Sequence, residues 1–343
     1  MSHDALKLTT YFGERDRARG RFLSDALADV YAQHRLRASV VLRGVEGFGV
    51  KHHLHSDRLL TLSEDLPLVS VAVDARDRIE AALGEVIELF GDGLITLERA
   101  SMSAPPGGAA TKLTIYIGRG GHAPVVETLH RHGVAGATVL LGVDGTARGA
   151  RRRARFFAAN DEVPLMVIAV GAPAPIAAAL EELRTALDDP LVTLERVRLC
   201  KRDGELLAEP EPVAGSDPSG LGVWQKLMVY CGEQSRHRDR PLYSELVREL
   251  RAAGAAGATS LRGVWGYHGD HEPHGDSLWQ LRRRVPVVTV IVDTPERIGR
   301  WFAIVDELTA ETGLVTSEQV PALRATGPDI ARGGLRLADP GVR

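Results

Sequence analysis

The chain is expected to fold as α+β, in three tandem copies of one small domain whose elements run β-α-β-β-α-β. The first observation behind this is a repeated opening. From Lys7 the chain reads Lys-Leu-Thr-Thr-Tyr-Phe-Gly, from Lys112 Lys-Leu-Thr-Ile-Tyr-Ile-Gly, and from Lys226 Lys-Leu-Met-Val-Tyr-Cys-Gly. The second is a Gly-rich block that follows each time, at Ala38 to Gly47, Ala137 to Gly145 and Ala258 to Gly266. The third is a block led by proline, at Pro67, Pro164 and Pro286, rich in Val and Ile. Three blocks in one order, repeated three times, decide the architecture before any propensity does. The copies are bounded at residues 1–100, 111–201 and 222–324.

Repeat 1 justifies the order element by element. Leu6, Leu8, Thr10 and Phe12 alternate, as a strand does. Gly13 to Gly20 is polar and Arg-rich, a loop. Phe22, Leu23, Leu27, Val30 and Tyr31 fall at helical spacing. Ser39 to Val45 is rich in β-branched residues and reads as a second strand. Gly47 and Gly49 then break the pattern into an open turn. Polar, His-rich residues follow, a loop longer than the ~12–15 residues at which loops are usually functional or disordered. Leu66 to Val73 is a third strand, Ala75 to Phe90 a helix stopped by Gly91 and Gly93, and Leu94 to Glu98 a fourth strand. This is the ferredoxin-like split βαβ order.

Repeat 3 keeps the plan, with its long loop starting at Trp265. Repeat 2 has a short first loop (Gly118 to His122) and a Gly- and Arg-rich second one (Thr146 to Arg155). Ser101 to Ala110 and Arg202 to Gly222 read as flexible linkers. The tail after Arg324 lacks periodicity and is expected to be loosely held.

Composition excludes several classes. The net charge of -3, with both signs interspersed, argues against a general nucleic-acid binder, which needs a basic face. The two cysteines, Cys200 and Cys231, lie in different repeats and form neither a disulfide framework nor a metal-ligand spacing. The polar N-terminus has no signal-peptide pattern, so a cytoplasmic location is expected. No Ser-His-Asp arrangement, nucleophile elbow or carboxylate pair stands out, so no enzymatic activity is expected.

Arg43 and Arg262 end strands just before Gly-rich loops. Two readings stand open: a bidentate contact to a phosphate or carboxylate, or a structural ion pair with a neighbouring repeat, at Glu14 or Glu233. Gly44, Gly47 and Gly49, with Gly263 and Gly266, can bring backbone N–H groups to an anion or simply allow a turn. His52, His53 and His55 cluster in the first long loop, and His268, His271 and His274 in the third. Imidazole clusters bind zinc, copper or nickel, and a solvated loop also tolerates histidine freely. Trp265, Tyr267 and Trp279 suit base stacking or an inter-repeat contact. The Arg151-Arg152-Arg153-Arg155 run suits an acidic partner or a solvated charge cluster.

Arg43-Gly44-Val45-Glu46-Gly47-Phe48-Gly49, then His53, His55 and Ser56, then Ser63-Glu64-Asp65-Leu66-Pro67-Leu68-Val69, resembles the family named domain of unknown function one-ninety. Gly13-Glu14 belongs to the same pattern. Repeat 3 carries it as Gly232-Glu233, Asp239-Arg240-Pro241-Leu242-Tyr243, Leu261-Arg262-Gly263-Val264-Trp265-Gly266-Tyr267 and Val285-Pro286-Val287-Val288. Repeat 2 is degenerate: Arg119 replaces the Glu, Leu141 replaces the Arg, and its long loop holds no His. The family is similar in fold to the PII signalling proteins. The resemblance implies three ferredoxin-like domains closed as an intramolecular PII-like pseudo-trimer, with the chain monomeric. It further implies a signalling role, with a small anionic effector, an adenine nucleotide, bound between repeats at Glu14, Arg43, Gly44, Gly47, Gly49, Glu233, Arg262, Gly263 and Gly266. Long loops would then act on a partner, a membrane transporter or channel. The alternative is a metal-binding protein using His268, His271 and His274.

Overall fold

A computed structural model describes residues 4–49, 55–56, 65–154, 162–188, 190–268, 273–275, 285–327 and 330–338. Repeat 1 contributes β1 (Asp4–Gly13), α1 (Leu23–Gln33), β2 (Ala38–Phe48), β3 (Pro67–Ala75), α2 (Arg76–Leu89) and β4 (Gly93–Ser101). Repeat 2 contributes β5 (Ala110–Gly118), α3 (His122–Arg131), β6 (Gly136–Ala147), β7 (Ala150–Arg153), β8 (Pro164–Gly171), α4 (Pro173–Ala186) and β9 (Leu191–Arg202). Repeat 3 contributes β10 (Trp224–Gly232), α5 (Leu242–Ala252), β11 (Ala258–Arg262), β12 (Trp265–His268), β13 (Pro286–Asp293), α6 (Pro295–Leu308) and β14 (Leu314–Val320). A hairpin of β15 (Ala322–Gly327) and β16 (Ile330–Gly334) follows. The prolines sit where they cost no ladder bond. Pro67, Pro164 and Pro286 are the first residues of their strands, and Pro173 and Pro295 open α4 and α6.

The expectation of three separate ferredoxin-like domains arranged as a pseudo-trimer is corrected by the strand pairing. The sheet does not end at repeat boundaries. Antiparallel pairing runs β1–β3–β2 within repeat 1 and crosses to repeat 3 at β2–β11. It continues β11–β13–β10–β14 and crosses to repeat 2 at β14–β9. It returns at β9–β4 and closes at β4–β1. The result is a closed nine-strand antiparallel barrel with further strands joined to it. Among those, β6 pairs with both β2 and β12. Closure satisfies the backbone groups that edge strands of isolated domains would leave open.

The glycine pairs explain how the repeats join there. The strand predicted to break at an open turn instead runs straight on through Gly44 and Gly47 to Phe48. A methyl group at Gly47 would lie 2.7 Å from the Ala258 carbonyl oxygen, and one at Gly44 would lie 2.6 Å from the Pro67 ring. Gly142 and Gly145 face Pro164 and Ser39, and Gly263 and Gly266 face Val139 and Ala137, in the same way. These positions lack a Cβ so that neighbouring backbones can approach, the general reason for glycine inside a strand. They are seams between repeats, and Gly263 alone among them lies between strands, in the break from β11 to β12.

Both faces of these strands are buried. Leu6, Leu8 and Phe12 pack under α1 and α2 in repeat 1's own core, and repeats 2 and 3 have matching cores. The opposite faces, with Val40, Val71, Leu140, Ile168, Val290 and Leu323, join a core shared by all three repeats. The described part of the tail is not loose: β16 pairs with β15, and Leu335 and Leu337 pack on repeat 1's core. The second linker is tied down too, since the Leu207 and Ala208 N–H groups donate to the Cys200 carbonyl.

Candidate functional site

The lysine that opens each repeat belongs to a buried ring of charge. Within each repeat it lies directly across the sheet from a glutamate: Lys7 from Glu98, Lys112 from Glu195, Lys226 from Glu318. The corresponding Nζ–carboxylate distances are 3.1, 3.3 and 3.0 Å. Each lysine also makes a closer ion pair with a glutamate of another repeat: Lys7 with Glu195, Lys112 with Glu318, Lys226 with Glu98. Six charges of alternating sign thus close on themselves, and none is more than 5% exposed. Burial alone would raise Glu98 and Glu318, but the lysines around them overcome it and hold both below the usual carboxylate range. Burial opposes the charge on Lys7 and Lys226, yet their glutamates raise both above the usual lysine value. At Lys112 burial prevails and lowers it. Its Nζ nonetheless touches two carboxylates, as the other two do. Burial also pushes the nearby Tyr11 up to about 12. The three glutamates place carboxylate oxygens close enough together to ligate a metal, but the lysines already neutralise them. The ring is structural. Its signal in the sequence was the repeated Lys-Leu opening together with Thr-Leu-Glu at Glu98 and Glu195 and Thr-Ser-Glu at Glu318.

The predicted site residues fall into separate places. Arg43 pairs with Glu14 at 2.9 Å, and Arg262 with Glu233 at 2.8 Å. Each pair lies within one repeat, not between repeats. Half of the Arg43 side chain is exposed, so the Arg43–Glu14 pair contributes at most ~1 kcal/mol. Gly44, Gly47, Gly263 and Gly266 form the seams. Of the predicted residues only Gly49 lines the open cleft described below. His268 is buried, with Nδ1 3.4 Å from an Asp203 carboxylate oxygen. His271 lies outside the described residues, as do His52, His53 and Trp279. His274 pairs by backbone with Gly266.

The open cleft, of about 320 Å³, lies between repeats 1 and 3. Its walls are largely apolar: Tyr11, Phe48, Leu94, Trp224, Val290 and Val292. Both roots of repeat 1's long loop, Phe48–Gly49 and Asp65, stand in the lining. The polar groups are Asp16, Asp65, Asp92, Thr259, Asp293 and Arg332. Several carboxylates are already engaged. Asp16 accepts from the Gly13 N–H at 2.8 Å and Asp65 from the Arg15 N–H at 2.6 Å. A pocket of this size with few polar groups is typical of small-ligand sites.

At the corresponding junctions protein groups are already in contact. In repeat 2 the long loop begins with a tight return from β6 into β7, and Arg151 binds Asp144 together with Asp25 and Asp29 of repeat 1. Arg153 reaches Asp25 at 2.8 Å. Arg151 and Arg153 therefore tie repeat 2 to repeat 1, while Arg152 pairs with Glu162 of its own repeat and Arg155 lies outside the described residues. Where repeat 3 meets repeat 2, the Tyr267 hydroxyl donates to the Val134 carbonyl at 2.9 Å and its ring meets His130 edge-on. The Asp203 N–H donates to the Gly313 carbonyl.

The DUF190 family, described as "Uncharacterized ACR, COG1993", matches the chain at residues 5–102, 110–199 and 224–322. The chain belongs to this family, in three tandem copies. Two UPF0166 proteins of Aquifex aeolicus (strain VF5) are similar to it. One is 32% identical over 98 residues, which is 28% of this chain and 90% of that protein. The other is 37% identical over 67 residues, 20% of this chain and 70% of that protein. A crystal structure of aspartate kinase from Synechocystis overlaps 95% of this chain at 12% identity and a TM-score of 0.25, too low for any argument. The chain spans 45% of that kinase's length. No helix among the described residues is long and apolar enough to cross a membrane.

Proposed function

We propose that the chain is a non-enzymatic, PII-like regulatory protein of the cytoplasm that binds an adenine nucleotide in the cleft between repeats 1 and 3. The observation that carries this is the placement of both loop roots, Phe48–Gly49 and Asp65, in one apolar cleft. A ligand there would touch the base of the long loop of repeat 1, so occupancy would bias that loop toward or away from a partner. The apolar walls suit a purine base, and Arg332 offers a cation for the phosphates. Asp16, Asp65 and Asp92 oppose a bare polyphosphate, so the nucleotide is expected to bind best with magnesium. A membrane transporter or channel is the partner class we favour, from the family resemblance. The cleft is complete within one chain, so a single copy would suffice.

The test is calorimetry of the whole chain with ATP, ADP and AMP, with and without magnesium. One site per chain is expected, because at the other two junctions described groups of neighbouring repeats already contact one another. Three equivalent sites would contradict the placement. No heat at concentrations that detect ~100 μM binding, about -5.5 kcal/mol, would contradict the nucleotide reading.

A further inference from the structure

Resting on that reading, we propose that Arg332 selects an anionic group on the cleft's ligand and that Asp293 is its positioning residue. Arg332 stands on β16, beyond residue 322, where the last family match ends. It is the only Lys, Arg or His among the described residues that line the cleft. One guanidinium nitrogen lies 3.5 Å from Asp293, a long contact. Its Nε–H is buried with no acceptor among the described residues. The side chain as a whole is 33% exposed, so part of it faces the open cleft, where a ligand can meet it.

Asp293 is 1% exposed and is well supplied without Arg332. The Trp301 indole N–H donates to it at 3.1 Å and the Thr294 N–H at 2.9 Å, and Arg297 lies at 3.8 Å. The carboxylate is thus fixed in place and orients the Arg332 fork, leaving further N–H groups to grip an oxyanion bidentately. The ligand class is an apolar ring system carrying a phosphate or carboxylate.

The experiment is titration of the full chain with ATP, AMP and adenosine in wild type, Arg332→Ala, Arg332→Lys and Asp293→Asn. Arg332→Ala is expected to weaken ATP about 10- to 100-fold, the loss of one charge-assisted contact, while adenosine affinity stays as in wild type. Arg332→Lys should recover part of the loss, and Asp293→Asn should weaken ATP but not adenosine. An unchanged ATP-to-adenosine ratio in Arg332→Ala overturns the proposal while leaving the cleft reading intact. So does a parallel fall in adenosine, which would mean that Arg332 only holds the C-terminal hairpin. If wild type binds none of the three ligands, the cleft reading fails and this proposal with it.

Discussion

Lys226→Met is expected to lower the unfolding free energy by about 3–5 kcal/mol, because it leaves Glu98 and Glu318 buried against a single remaining lysine each. The double change Lys226→Met with Glu98→Leu should recover most of that loss. It leaves the neutral run Lys7, Glu195, Lys112 and Glu318, in which every charge still touches an opposite one. Urea unfolding of the single and double variants measures this as a coupling energy. A loss below ~1 kcal/mol in Lys226→Met would place the ring in solvent-like surroundings, where ion pairs contribute little. The pH dependence follows from the directions of the shifts. Glu98 and Glu318 are held below 4.5 in the folded chain, so their contribution is present above pH 4.5 and is lost as pH falls through the folded value. Lys7 and Lys226 are held above 10.5, so theirs is present below pH 10.5 and is lost as pH rises further. Stability from the ring is thus confined between these limits. The double variant should lose stability less steeply below pH 4.5 than wild type.

The ring also marks where the sequence is legible and where it misleads. Repetition exposed the three copies, and helical spacing placed α2 within a residue at either end, Arg76–Leu89 against Ala75 to Phe90. Alternation exposed β1 but not its environment. A polar residue at every second place, as in Leu6-Lys7-Leu8-Thr9, ordinarily means a face turned to water. Here Lys7 and Thr9 turn away from the helices yet stay buried, because the barrel closes over them. Closure is a long-range property: it depends on β2 meeting β11 and β9 meeting β14, and no local window contains both partners. The cleft was hidden for the same reason, since Tyr11, Leu94, Trp224 and Arg332 come from four distant stretches. The ion pairs of Arg43 and Arg262 lay within reach of sequence reasoning, because each joins the two motifs of one repeat.

Opposite signs are expected from one substitution, Gly→Ala, at two kinds of site. Gly84 lies on the exposed side of α2, and a methyl group added there would meet nothing within 4 Å. Gly84→Ala should therefore stabilise the chain by about 0.5–1 kcal/mol through backbone entropy. Gly47 lies on the seam with repeat 3, where an added methyl would stand 2.7 Å from the Ala258 carbonyl and 3.2 Å from the Thr259 Cα. These are backbone atoms of a paired strand, so no side chain can swing aside. The β2–β11 ladder must move, and it is one of the crossings that close the barrel. Overpacking typically costs about 1–3 kcal/mol, occasionally more. With rigid backbone as the obstacle, about 3 kcal/mol or more is expected for Gly47→Ala. Gly145→Ala, pressed against Ser39 on the seam between repeats 1 and 2, should behave alike. Thermal and urea unfolding of the three variants decide the matter. If Gly47→Ala and Gly145→Ala unfold at the wild-type midpoint, the repeats do not meet at these glycines, and the Gly-rich blocks need another explanation.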